Sequence, residues 1–213
     1  EQAFREGKKE DYFARDKQTF NYLNKKTKSN VNQSTDLAYF LYNQSDERKV
    51  TNKKVKVGVN LLPVSYKSIF TKEIELNISK VMRKFIEELS WTYDVYLFPM
   101  QIGYDSNYLA EFADNKRISL MTWEDPMECV EEIKKMDVCI GMRFHFVLLS
   151  LIYNIPVVAV SYHEKVSVLM SHYGLDDYVV SPLGFSYGEL TEKFKKIREN
   201  WEKMSPEIKR INN

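Results

Sequence analysis

In DVCIGMRFHFVLLS, residues 137–150, an arginine and a histidine stand two positions apart, at Arg143 and His145, where an apolar strand gives way to an apolar helix. A guanidinium is a planar fork of N–H donors that matches a carboxylate or a phosphate. The first turn of a helix adds backbone N–H groups and the positive end of the peptide dipoles. Together they describe an anion site. The same positive end disfavours an imidazolium, so His145 is expected to be neutral and able to take a proton. A bound phosphate would reverse that and make it an acid. Gly141 is expected to permit the tight turn before them. The plainer alternatives are an arginine paired with a nearby carboxylate and a histidine satisfied in the core.

A second cation follows the next strand. In VVAVSYHEKV, Tyr162 closes the strand and Lys165 opens a helix, one loop from Arg143. Asp105, in FPMQIGYD, follows another strand and could bind a hydroxyl or act as a base; an N-cap is the plainer reading. Asn60, ending VGVN, is similarly placed and similarly open. Arg15, in YFARDKQTF, also opens a helix after a strand, which by itself carries little. His163 and His172 read as surface residues.

These residues need elements that bring them together, and the hydrophobic spacing supplies them. Strands are expected at 54–60, 94–100, 117–121, 137–141, 155–162 and 177–181. Helices are expected at 71–90, around 107–113, from Pro126 onward, at 144–153, 165–174 and 187–204. The first of these carries Ile74, Ile78, Val81, Phe85 and Leu89 on one face. Gly174 reads as the residue just past a helix end, and Pro206 as a kink or a stop. Strand–helix alternation with near-continuous apolar strands means a doubly wound parallel sheet, a Rossmann-like α/β domain. Its ligands belong at the carboxyl ends of the strands, where the residues above fall.

Residues 1–50 are too few for a domain. They read as a polar helix at 1–9, a strand at 11–14, a helix at 15–26, a strand and a second apolar patch within 29–42, and a polar linker over 43–54. They look like the end of another α/β unit. The expected division is 1–50, 51–185 for the complete lobe, and 186–213 for a final helix.

Composition narrows the classes. Of 213 residues 29% are charged, but the net charge is only +1, which leaves no electrostatic footprint for nucleic acid. No basic cluster flanks an apolar helix face as a membrane anchor would require. The apolar run FHFVLLSLIY is far short of the roughly 20 residues of a membrane span. The opening EQAFREGKKEDYF has no apolar region of the kind a signal peptide needs. Cys129 and Cys139 lack zinc spacing and a disulfide framework, and read as buried core residues. A cytoplasmic protein is expected.

DVCIGMRFHFVLLSLIYNIPVVAVSYHEKV resembles the hallmark stretch of the polysaccharide pyruvyl transferase family: I-G-M-R-x-H, an apolar helix, then a proline-led strand ending S-Y-x-x-K. ARDKQTFNYL and STDLAYFL are similar to its R-D-x-x-S/T and D-x-A/V segments, and FPMQIGYDSNYL to its P-x-x-x-x-D segment. Phe144 stands where leucine is usual. The resemblance implies a GT-B-like enzyme with a Rossmann-like lobe on each side of a cleft, of which this chain would be the end of the first lobe and the whole second lobe. Its final helix would return toward the first lobe. The implied reaction moves the enolpyruvyl carbons of phosphoenolpyruvate to a sugar of a cell-surface glycan or its precursor, forming a ketal and releasing phosphate. Carried over by motif, Arg143 binds the donor anion, His145 is the general acid/base, Arg15 contacts the donor from the first lobe, and Lys165 supports. Tyr162 and Asp105 complete the expected substrate contacts. No metal and no cofactor are expected; phosphoenolpyruvate is a substrate. A lipid-linked saccharide acceptor would bring the protein near a membrane surface without insertion.

Two other readings stay open. A GT-B glycosyltransferase would hold the diphosphate of a nucleotide sugar in the same crevice, and would need an acidic residue for the ribose, for which Glu164 could serve. A non-catalytic lobe would use Arg143 and His145 only to knit its core.

Overall fold

In the computed structural model, residues 11–15, 17–41, 54–64 and 70–212 are described. The expected helix at 1–9 and most of the expected linker lie outside them. The chain divides into two compact units, Glu1–Asn43 and Gln44–Asn213.

The first unit contains strand β1 (Tyr12–Ala14), helix α1 (Lys17–Lys26), strand β2 (Val31–Gln33) and a short 3-10 turn at Leu37–Leu41. β1 and β2 pair in parallel, Tyr12 against Val31 and Ala14 against Gln33. This is a βαβ step. Within the apolar patch expected over 29–42, Leu37 and Phe40 are exposed.

The second unit is built on a six-stranded parallel sheet. Its strands are β3 (Lys56–Asn60), β4 (Asp94–Leu97), β5 (Ile118–Leu120), β6 (Val138–Gly141), β7 (Val157–Val160) and β8 (Val179–Val180), in the spatial order β5-β4-β3-β6-β7-β8. The chain starts in the middle, winds outward through β4 and β5, then returns to wind the other way through β6, β7 and β8. The reversal leaves a topological switch point between β3 and β6, where the ligand crevice of such a sheet lies. There Asn60 stands in register with Gly141. All six strands fall where the alternation of apolar runs and helices put them. β6 and β7 are buried at every position, which demands cover on both faces.

The helices supply that cover. Helix α2 (Lys72–Thr92) is capped by Thr71, whose hydroxyl accepts from the Ile74 N–H at 3.3 Å. It buries Ile78, Met82, Phe85, Ile86 and Leu89, a stripe at helical spacing. Helix α3 (Tyr104–Ala110) follows β4, and α4 (Pro126–Ile133) follows β5 with Asp125 as N-cap and Pro126 in the first turn. Helix α5 (Phe144–Ile152) is buried from Phe146 to Ile152, the core helix its composition demands. Helix α6 (Glu164–His172) ends in the left-handed Gly174, φ +66°. The Leu175 N–H closes back on the Met170 carbonyl at 2.9 Å.

Two local expectations are corrected. Helix α7 (Tyr187–Asn212) continues through Pro206, so the expected stop does not occur there. Tertiary bonds beyond the proline hold it: Ile208 is buried, and Asn212 donates to the Leu151 and Ile152 carbonyls at 2.9 and 3.2 Å, capping the end of α5. These outweigh the one backbone bond that proline removes. α7 packs on α2, α5 and β7 of its own unit. Gly141, expected to serve a turn, is not among the residues with positive φ. A Cβ there would lie 2.7 Å from Phe146 Cδ1 and 3.0 Å from Val147 Cγ2, so glycine is needed to let α5 approach β6. No helix among the described residues is long and apolar enough to cross a membrane.

Candidate active site

The site is assembled from the carboxyl ends of β3, β4, β6 and β7. Arg143 is the N-cap residue of α5, with extended backbone (φ −68°, ψ 132°), but its side chain does not cap the helix. It turns instead toward α3. Nε donates to Asp105 Oδ2 at 3.1 Å, and Nη2 donates to Asp105 Oδ1 at 2.6 Å and to Gln101 Oε1 at 3.2 Å. The Arg143 side chain is 20% exposed and that of Asp105 0%. This is the fork-to-carboxylate geometry that only arginine offers.

Asp105 is therefore neither the N-cap of α3, which is Gly103, nor an open carboxylate. Its Oδ2 also accepts from the Gln101 N–H at 3.0 Å. The helix expected around 107–113 begins earlier, at Tyr104, which puts Asp105 in its first turn, facing Arg143.

Asn60, buried completely at the end of β3, secures the backbone of the same junction. Its Oδ1 accepts from the Arg143 N–H at 2.8 Å, its Nδ2 donates to the Phe98 carbonyl at 2.7 Å, and its own carbonyl accepts from the Met142 N–H at 3.1 Å. One side chain ties β3, the end of β4 and the β6–α5 turn together. The sequence left Asn60 and Asp105 ambiguous because their partners lie 83 and 38 positions away.

His145 is exposed in the first turn of α5, its ring edge-on to Phe144 with centroids 5.3 Å apart. Lys165 is exposed in the first turn of α6, and its ammonium lies 5.5 Å from the Phe144 ring centroid. That is cation–π distance, so the two adjacent helix starts meet through one aromatic ring. His163 caps α6, its Nδ1 accepting from the Lys165 N–H at 3.3 Å; like His172 it is exposed. Tyr162 is only 4% exposed, with its ring centroid 6.3 Å from that of His163, and contributes more to packing than to an open surface. Cys129 and Cys139 are both buried, Cys129 on α4 and Cys139 within β6.

In the first unit, Arg15 sits at the end of β1 and donates through Nη1 to Asp36 Oδ2 at 3.0 Å. Asp36 is nearly buried, and its Oδ1 accepts from the Ala38 N–H at 3.0 Å. Both candidate arginines are thus steadied by an enclosed aspartate that also takes a backbone N–H. The signal for Asp36 was its place in STDLAYFL, just past β2; its partner was not readable. The structure joins Arg143, Asp105 and Asn60 by hydrogen bonds, sets His145 and Lys165 each beside the Phe144 ring at the adjacent helix starts, and describes Arg15 within its own unit.

Among solved structures, the chain is similar to the spinosyn forosaminyltransferase SpnP, at 14% identity and TM-score 0.40, covering 78% of this chain and 42% of that one. It is similar to the glycotransferase of kitacinnamycin at 13% identity and TM-score 0.38, covering 76% and 43%. It is also similar to a mutant of S. aureus TarM in complex with fondaparinux, α-GlcNAc-glycerol and UDP, at 12% identity and TM-score 0.43, covering 94% and 43%. The chain spans less than half the length of each. No curated protein matches it. The family model for polysaccharide pyruvyl transferases matches residues 7–164, about three quarters of the chain and every candidate residue but Lys165. The chain belongs to the polysaccharide pyruvyl transferase family.

Proposed function

We propose that the protein transfers the pyruvyl group of phosphoenolpyruvate to a sugar of a cell-surface polysaccharide or its precursor, in the cytoplasm, with no cofactor. The observation that supports this reading is the Arg143 guanidinium, held in place by Asp105 and Gln101 beside the start of α5 and within one loop of Lys165. A small ligand carrying both a carboxylate and a phosphate calls for fixed cations beside a helix N-terminus.

The chemistry that such a site supports is as follows. A proton is delivered to the methylene carbon of phosphoenolpyruvate, and positive charge develops at the adjacent carbon. A sugar hydroxyl adds there and loses its proton. The bond to the phosphate oxygen then breaks, phosphate leaves with its electron pair, and a second hydroxyl adds and gives up its proton to close the ketal. His145, exposed in the first turn of α5, is the group assigned to hand over and take back protons. Arg143 and Lys165 hold the phosphate as it leaves. A lipid-linked acceptor would bring the protein to the membrane surface.

The test is product analysis on the protein at its full natural length. Saccharide acceptors incubated with phosphoenolpyruvate should release inorganic phosphate and gain an acid-labile pyruvate ketal, detected by mass spectrometry. Sugar transfer from a nucleotide sugar, with no phosphoenolpyruvate consumed, would replace this reading with a glycosyltransferase.

A further inference from the structure

We propose that Asp105 and Asn60 are positioning residues: they set the side chain and the backbone of Arg143 for the donor anion, and neither acts on a substrate. The inference rests on the reading of Arg143 as the donor's anion-binding group.

Asp105 carries the kind of side chain that could serve as a base, but its surroundings assign it elsewhere. It has no exposure, and three N–H donors occupy its oxygens: Arg143 Nε, Arg143 Nη2 and the Gln101 backbone. A sugar hydroxyl cannot reach it without breaking that arrangement. What the bonds do is immobilise Arg143. Three of its five guanidinium N–H donors are committed to Asp105 and Gln101, which fixes the plane and direction of the fork. Asn60 fixes the other end, because its amide holds the Arg143 N–H while gripping the Phe98 carbonyl. Phe98 lies on the segment that leads to Gln101 and Asp105, so both ends of Arg143 are referenced to the β4–α3 connection.

Asp105 exerts two effects of opposite sign on anion binding. Its charge opposes that of Arg143 and weakens attraction. Its geometry pre-organises a long side chain that would otherwise lose rotamer freedom on binding. A site for a compact anion beside a reacting carbon depends on placement, where an error of about 1 Å can cost a factor of about 100. Placement therefore outweighs charge here.

The test is a double-mutant cycle read by calorimetric titration of phosphoenolpyruvate into the full-length protein, with melting curves as the check on folding. Asp105→Asn keeps the volume and removes the charged fork partner. It should weaken phosphoenolpyruvate binding by roughly tenfold or more, and change binding less than about twofold when Arg143 is already methionine. Arg143→Lys keeps a cation opposite Asp105 without the fork, and should lose affinity to a similar degree even if Asp105→Asn fails to fold. Unchanged or tighter binding in Asp105→Asn would overturn the positioning role alone, since charge relief would then dominate. An equal loss in both backgrounds would also overturn it, because Asp105 would be acting independently of Arg143. Wild type that does not bind phosphoenolpyruvate would overturn both this inference and the donor assignment.

Discussion

Removing Arg143 takes the partner from a carboxylate that has no exposure. The cost of leaving a buried charge unpaired is about 3–5 kcal/mol, reduced here because the arginine itself is partly exposed. Arg143→Ala is therefore expected to lower stability by roughly 2–4 kcal/mol, read as a shifted urea midpoint at unchanged slope. Loss of ligand binding in that variant confuses two causes, and for this reason lysine is the informative substitution. His145 is a different case. It is exposed, so His145→Gln should leave the melting temperature within a few degrees of wild type while turnover falls about 100-fold or more. Phosphoenolpyruvate affinity should stay within several-fold. A wild-type turnover number in that variant would remove His145 from the chemistry. At this scale the residue types were legible and their partners were not. R-x-H and Y-x-x-K mark a strand-to-helix junction from local spacing alone. Asp105, Gln101 and Asn60 meet Arg143 only because the sheet brings β3, β4 and β6 side by side.

The junction between β6 and α5 depends on Gly141. The nearest atoms to a Cβ at this position are a buried phenylalanine ring and a buried valine methyl, both on α5. Gly141→Ala is expected to cost about 1–3 kcal/mol by pushing α5 off the sheet, and to displace Arg143 with it. The element boundaries read from sequence erred where short-range signals compete with distant contacts. α3 begins earlier than its apolar spacing indicates, because Gly103, at φ +86°, starts the helix with no side-chain signal. α7 continues past Pro206 because Ile208 and Asn212 have tertiary partners that no local rule reveals. The strands were readable because strands buried on both faces must be apolar throughout. Burial on α3 and α4 also shapes the alkaline limit. It pushes the Tyr108 phenol, whose ordinary value is 10.0, and the Cys129 thiol, ordinarily 9.0, each up to about 12. The folded state therefore holds protons that the unfolded chain releases, and stability should fall as pH rises from about 9 to 12, by a few kcal/mol in all. Cys129 should resist alkylation at pH 8 until the protein unfolds. Rapid native-state labelling of Cys129 would contradict its burial.

At the scale of the whole molecule, the strand order β5-β4-β3-β6-β7-β8 sets the anion-binding candidates of this unit after neighbouring strands, at one end of the sheet. The switch point between β3 and β6 sets Asn60 beside the β6–α5 turn, β4 delivers Asp105 from one side, and β7 delivers Lys165 from the other. The doubly wound class followed from strand–helix alternation. The order of the strands did not, because apolar runs record burial and not neighbours. The central proposal is that this end of the sheet receives phosphoenolpyruvate. The most direct measurement is calorimetric titration of the full-length protein with phosphoenolpyruvate, UDP and GDP in parallel, repeated on Arg143→Lys. Binding of phosphoenolpyruvate alone, weakened roughly tenfold or more by the lysine, is the expected result. Saturable binding of a nucleotide with none of phosphoenolpyruvate, or phosphoenolpyruvate binding that the lysine leaves unchanged, would contradict it.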